Sequence, residues 1–205
     1  MRWKPNPIWK DTDAIIIGGG RSLIGFDWSQ LRDVHTVGCN SAFRLGVDVC
    51  EVCCFGDQKF YNTYASEMGN YEGEWVTNTP GLLPSKCEWL HTMPRLDYGL
   101  GHEELAWNNS TGALAVNVAL LLGAKRIGLL GMDMKSNCSY SQNWHEFGLD
   151  NGQRGLYEKF TTGFTRLSAA LSEEFPDREI VNCGPDSALD VFPRMSLDQF
   201  LGDTP

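Results

Sequence analysis

Residues 13–18 read D-A-I-I-I-G, an apolar run without alternation that ends in three glycines, Gly18, Gly19 and Gly20. That pattern belongs to a strand buried on both faces of a parallel sheet. Comparable runs recur at 34–40, 49–57, 74–78, 126–133 and 179–183, and each predicts a further strand. Helical patterns lie between them. Phe60, Tyr61 and Tyr64 sit at near-helical spacing within 58–68, and Leu156, Phe160, Phe164, Leu167, Leu171 and Phe175 repeat with a period near 3.6. The stretch A-L-A-V-N-V-A-L-L-L is apolar nearly all round, with Ser110 or Thr111 as its N-cap and Gly123 as its stop, so it predicts a helix lying under other elements. Short helices are expected at 29–32 and near the carboxyl terminus. Strand and helix alternate. The fold class is therefore α/β, a single doubly wound, Rossmann-like domain with a mostly parallel sheet. This domain covers 13–205; residues 1–12 form an N-terminal arm in which Pro5 and Pro7 oppose a helix and Trp3 and Trp9 pin the arm down. Two stretches without periodicity, 79–109 and 134–153, are read as loop inserts, the first of them as a lid.

Composition narrows the picture. A chain of 205 residues fits one compact domain. With 17 Lys and Arg against 26 Asp and Glu, its net charge is -9, and no basic strip is evident that would attract nucleic acid. Seven cysteines are odd in number, and several of them lie in strand-like runs, so buried free thiols in a reducing cytosol are expected. The pair Cys50-x-x-Cys53 has no second pair or histidine cluster to complete a metal site. No apolar run reaches the roughly 18 residues of a membrane helix, and the first residues lack the apolar core of a signal peptide. A cytoplasmic location with no membrane partner is the expectation.

The chemistry-bearing residues fall at strand ends. Gly18 to Gly20 follow the first run, Asn40 and Ser41 the second, Asp57 the third, and Asp133 the fifth. In a doubly wound sheet, ligands bind outside those carboxyl ends. The glycines match neither G-x-G-x-x-G nor a Walker A loop, and lysine is absent from the turn. They suit a cradle for a phosphate because no Cβ keeps a ligand from the backbone. The positive end of the helix after Ser110 faces the same edge. His145, beside Trp144 and Glu146 in a polar and aromatic stretch, reads either as a surface histidine or as a catalytic candidate.

Four blocks stand in order: I-I-G-G-G-R-S-L, G-C-N-S-A-F, N-S-T-G-A-L-A-V-N-V-A-L-L-L-G-A-K-R-I-G-L-L-G-M-D, and I-V-N-C-G-P-D-S-A-L-D-V-F-P. In combination they resemble a superfamily that contains the bacterial lipooligosaccharide sialyltransferases and the MptE-type 6-hydroxymethylpterin diphosphokinases, and many small phage-encoded proteins look similar. The resemblance implies a nucleotide-sugar site with Gly18, Gly19, Gly20, Arg21 and Ser22 at the donor phosphate or sugar and Asn40 and Ser41 beside it. It places Ser110, Thr111 and Gly112 at the phosphate and Asp133 toward the nucleoside; Asp57, at a neighbouring strand tip, joins the donor-site candidates. His145 and Asp133 are then the catalytic candidates. Arg21 stands where those enzymes carry proline, and Lys135 and Tyr140 are the nearest counterparts of their tyrosines.

The implied activity is transfer of a sugar from a nucleotide-sugar donor to a hydroxyl acceptor, such as a modified base of phage DNA or a nucleotide, with no cofactor. The alternatives are diphosphate transfer from ATP with Mg²⁺ held by Asp57 and Asp133, or a non-catalytic nucleotide-binding phage protein. A second copy of the chain is a further candidate partner.

Overall fold

The computed structural model describes residues 2–82, 89–135, 144–145 and 155–202. In chain order its elements are β1 (Asp13–Ile17), β2 (His35–Cys39), β3 (Val52–Phe55), α1 (Gln58–Met68), β4 (Glu74–Thr77), β5 (Leu90–Thr92), β6 (Arg95–Leu96), β7 (Leu105–Ala106), α2 (Thr111–Leu122), β8 (Arg126–Leu130), α3 (Leu156–Glu174), β9 (Glu179–Asn182) and α4 (Leu197–Gly202). Seven strands form one sheet in the order β5-β4-β3-β2-β1-β8-β9, and β6 and β7 pair separately. Every pairing in the main sheet is parallel, with Ile16 of β1 opposite Val37 on one side and Leu129 on the other. This is an α/β sheet wound in both directions from β1.

Burial on both faces explains the isoleucine run. Ala14 and Ile16 point into a core shared with Leu114, Val116 and Val118 of α2 and Phe164 and Leu167 of α3. Ile15 and Ile17 point the opposite way, into a core with Phe55, Phe60 of α1, Trp75 and Phe200 of α4. Because successive strand residues face opposite sides, each face needs its own apolar set, and β1 supplies both. The helix after Ser110 is buried at every position except Leu121. It ends at Gly123, whose φ of 103° is the left-handed conformation that a helix stop requires. The short helix expected at 29–32 is a 3-10 turn at Trp28–Leu31, capped by Asp27.

The first insert is more ordered than its sequence suggests. It contains β5, which extends the main sheet, and the β6–β7 ladder, all strands of two or three residues. Segments that short carry no readable period. Side-chain amides replace the missing ladder. Asn117 of α2 accepts from Gly101 N at 3.1 Å and Ala106 N at 2.9 Å and donates to Gly101 O at 2.9 Å. Asn108 bonds both the N–H and the carbonyl of Gly99, at 2.9 and 2.8 Å. Most of the second insert lies outside the described residues.

The N-terminal arm packs on the domain. Trp9 is 3% exposed, its N–H donates to Leu122 O at 2.8 Å, and its ring stacks on His35. Trp3 N donates to Thr92 O at 3.1 Å, which covers part of the β5 edge. Five cysteines, Cys39, Cys50, Cys53, Cys54 and Cys183, are buried free thiols; Cys87 and Cys138 lie outside the described residues. Burial pushes the thiols of Cys39, Cys53 and Cys54 up, which keeps them protonated and unreactive.

Asn117→Ala strands three backbone groups in the interior, each costing on the order of 1 kcal/mol or more. Urea unfolding should show a loss of about 3 kcal/mol, and a loss below about 1 kcal/mol would show that the insert does not depend on this amide.

Candidate active site at the carboxyl edge of the sheet

The strand order reverses at β1, since β2 leaves on one side and β8 lies on the other, so a crevice opens beyond the carboxyl ends of β1 and β8. Its walls are set by a close join between two turns. Gly18 N donates to Leu130 O and Gly20 N to Gly131 O, both at 2.8 Å. A Cβ on Gly18 would lie 2.5 Å from Gly131 O, and one on Gly20 would lie 2.4 Å from the Asp133 carboxylate. Both are distances that no side chain tolerates. Asp133 accepts from Ser22 N at 2.9 Å through Oδ2 and from Ser22 Oγ at 2.6 Å through Oδ1. The tail after β9 braces the join from behind, with Ala188 N donating to Asp133 O at 2.8 Å and the Ser187 hydroxyl to Met132 O. Gly18 and Gly20 thus have a structural reason to lack side chains, since the end of β8 and the turn after it touch them and accept their N–H groups.

A cavity of about 430 Å³ occupies the crevice. Gly18, Gly19 and Gly20 line it together with Asn40, Ser41, Asp57, Ser110, Thr111, Gly112, Asp133 and His145. Arg21 and Ser22 do not line it, and Arg21 is exposed. Tyr140 lies outside the described residues. Asp57 caps α1 by accepting from Phe60 N at 2.7 Å, and Ser110 caps α2 by accepting from Gly112 N at 3.2 Å. Two helix N-termini therefore meet the cavity wall. Asn40 has a φ of 53°, a conformation asparagine adopts more readily than most side chains, and its Oδ1 is buried with no partner among the described residues.

Trp144 explains how His145 reaches the site. Its backbone N–H donates to Gly19 O at 2.9 Å and its indole Nε1–H to Gly18 O at 2.8 Å, and its ring packs 5.0 Å from Trp28. The His145 ring lies 5.0 Å from the indole, edge to face. The carbonyls of the glycine turn thus hold the histidine segment at the cavity.

The chain shares its fold with a bacterial sialyltransferase. The match is to the crystal structure of the monofunctional alpha-2,3-sialyltransferase Cst-I from Campylobacter jejuni, with a TM-score of 0.60 and 16% identity, over 90% of this chain and 80% of that one. No family model and no curated protein matches the chain by sequence.

The lining residues that sequence reasoning did not assign to the site include Lys59, Tyr64, Trp107 and Tyr157. Tyr157 stands in the first turn of α3, where the stripe of Leu156 and Phe160 reads as scaffold. Burial, and after it the negative charge of Asp133, raises the Tyr157 phenol above its ordinary value, so it remains a hydrogen-bond donor. A tyrosine off the apolar stripe was the available signal. Lys59 follows the α1 cap and is the one Lys or Arg among the described lining residues.

The Mg²⁺ site of the diphosphokinase alternative would draw on Asp57 and Asp133, which both line the cavity. Both Asp133 oxygens already bind Ser22 and Asp57 Oδ1 caps α1. Among the described residues no three His, Cys, Asp or Glu side chains converge as a metal-binding group.

Gly20→Ala drives a methyl group into the Asp133 carboxylate and should destabilise the fold by about 1–3 kcal/mol. Ser22→Ala, which removes one of the two hydrogen bonds without a clash, should cost about 1 kcal/mol. Chemical denaturation of both variants checks the join, and an unchanged midpoint for Gly20→Ala would contradict it.

Proposed function

We propose that the chain is a glycosyltransferase-like enzyme that moves a sugar from a nucleotide-sugar donor to a hydroxyl acceptor. One observation carries the reading. In a fold shared with a sialyltransferase, the glycine turn, the N-terminus of α2 and His145 line a single cavity at the point where the strand order reverses.

Each part has a task in such a transfer. The donor phosphate lies against the first turn of α2, where the helix dipole and the Thr111 hydroxyl favour an anion. Lys59 and the Tyr157 phenol supply further stabilisation from the cavity walls. His145 accepts the proton of the acceptor hydroxyl as its oxygen bonds to the anomeric carbon; the bond from that carbon to the phosphate oxygen breaks, and the nucleotide leaves with the electron pair. Asp133 holds the turns together and orients the site, while Asn40 and Ser41 offer polar contacts to the donor. With both Asp133 oxygens and Asp57 Oδ1 engaged by the chain and a single lysine among the described lining residues, the cavity suits a donor with one phosphate, of the CMP type, better than a metal-bound diphosphate. The acceptor is a hydroxyl compound; a net charge of -9 gives a polyanionic acceptor such as DNA no general attraction.

A thermal-shift series with CMP, UDP, GDP and ATP, each with and without Mg²⁺, tests the donor. CMP should stabilise without Mg²⁺, and a ligand at 100 times its dissociation constant adds about 2.7 kcal/mol. Stabilisation by ATP alone, and only with Mg²⁺, would favour diphosphate transfer instead.

His145→Ala should leave nucleotide affinity nearly unchanged and lower turnover by roughly 10²- to 10⁴-fold, because a general base acts in the transition state. Thr111→Ala should instead weaken nucleotide binding by about 1 kcal/mol. Full turnover in His145→Ala would remove the histidine from the mechanism.

A further inference from the structure

Trp107 is held in place with unusual care for a residue of a loop-rich insert. The Arg95 guanidinium carbon lies 4.6 Å from its ring centroid. That guanidinium is itself fixed, donating to Gly56 O and, at 3.2 Å each, to the backbone carbonyl and the Oδ1 of Asn78. Asn78 is 2% exposed and donates to Leu105 O at 2.8 Å, so the chain of contacts ends in the core. On the strand side the indole lies directly on Gly56. A Cβ there would come within 1.8 Å of it, and the three nearest atoms all belong to the Trp107 ring. The tip of β3 therefore has glycine where the indole needs the space.

This fixed ring lines the cavity. Its backbone carbonyl accepts from Ser110 N at 2.9 Å, which joins it to the cap of α2 and hence to the proposed phosphate position. Phe60 and Tyr64 of α1 line the cavity too, their rings 4.9 Å apart. The cavity thus combines aromatic walls with polar turns. An immobilised aromatic face beside a phosphate site is suited to a ring with a flat or apolar face, since the binding surface loses no side-chain freedom when the ring arrives.

We propose that Trp107, positioned by Arg95, is a specificity-determining stacking wall for a ring that the donor carries next to its phosphate. The inference rests on the donor-site reading above. Stacking chemistry is common to two such rings, the nucleobase and the sugar, and matched ligands tell them apart.

Calorimetry on the full chain would use two pairs of probes, CMP with CMP-N-acetylneuraminic acid and UDP with UDP-N-acetylglucosamine. Trp107→Leu keeps apolar bulk on Gly56 but removes the aromatic face, and Trp107→Phe restores a face. Trp107→Leu should lower affinity about tenfold, Trp107→Phe should recover most of it, and Arg95→Gln should shift in the same direction as Trp107→Leu. Weakening of the bare nucleotide identifies the base as the stacked ring; weakening of the sugar conjugate alone identifies the sugar. Binding by the wild-type chain that Trp107→Leu leaves unchanged for every probe overturns the proposal while sparing the donor site. Failure of the wild-type chain to bind any of the four overturns both.

Discussion

The Asp133 carboxylate receives two hydrogen bonds from Ser22, and the crevice depends on that contact. It ties the turn after β1 to the turn after β8, the two strands between which the sheet changes direction. Gly18 and Gly20 allow the turns to approach, and Gly131, at a φ of 65°, bends the β8 side to meet them. The join has a consequence beyond the strands. With their N–H groups used by β8, the glycines still present carbonyls, and those carbonyls hold Trp144 and with it His145. A rearrangement of the Asp133 contact would therefore reach the histidine through the turn.

The sheet and its long helices were legible because they obey a period. Ile15, Ile16 and Ile17 can be continuous only where both faces are covered, and the alanine- and leucine-rich stretch of α2 can be apolar all round only beneath other elements. Much of the cavity's polar lining was also legible, since Asn40, Asp57 and Asp133 each end a recognisable run and Ser110 opens a recognisable helix. What escaped was either short or dependent on another segment. β5, β6 and β7 have two or three residues each, and Asn108 and Asn117 stabilise their surroundings through backbone contacts that no local pattern announces. Trp107 and Tyr157 reach the cavity because of where Gly56 and β8 lie, which is a property of the folded chain. Part of what the glycines do was hidden for the same reason: G-G-G signals close approach, but not that a neighbouring turn approaches as well as the cavity.

Buried asparagines do in the insert what ladder hydrogen bonds do in the sheet. An amide side chain carries both a donor and an acceptor, so it can pair with a backbone unit as another backbone unit would. Asn117 does this from a helix buried at all positions but Leu121, and Asn108, with a φ of 47°, does it from the turn just ahead of the α2 cap. The price is that α2, otherwise apolar, carries one amide that must find its partners. In return the insert is anchored to the helix whose N-terminus faces the cavity, and Trp107 sits between the two.

An acidic chain and the proposed site for an anion are compatible because the two effects act over different distances. At physiological ionic strength, surface charges are largely screened beyond roughly 8 Å. The net charge of -9 is therefore felt mainly as a general disfavouring of polyanions at the surface. The N-terminus of α2 acts at contact. Its helix is buried at all positions but Leu121, so protein covers most of its length and water screens its dipole less than it would on an exposed helix. With Lys59 at the cavity and the Asp133 and Asp57 carboxylates each accepting hydrogen bonds from the chain, the local balance differs from that of the surface as a whole. Selection against large anions and retention of a small one can then be performed by the same acidic protein.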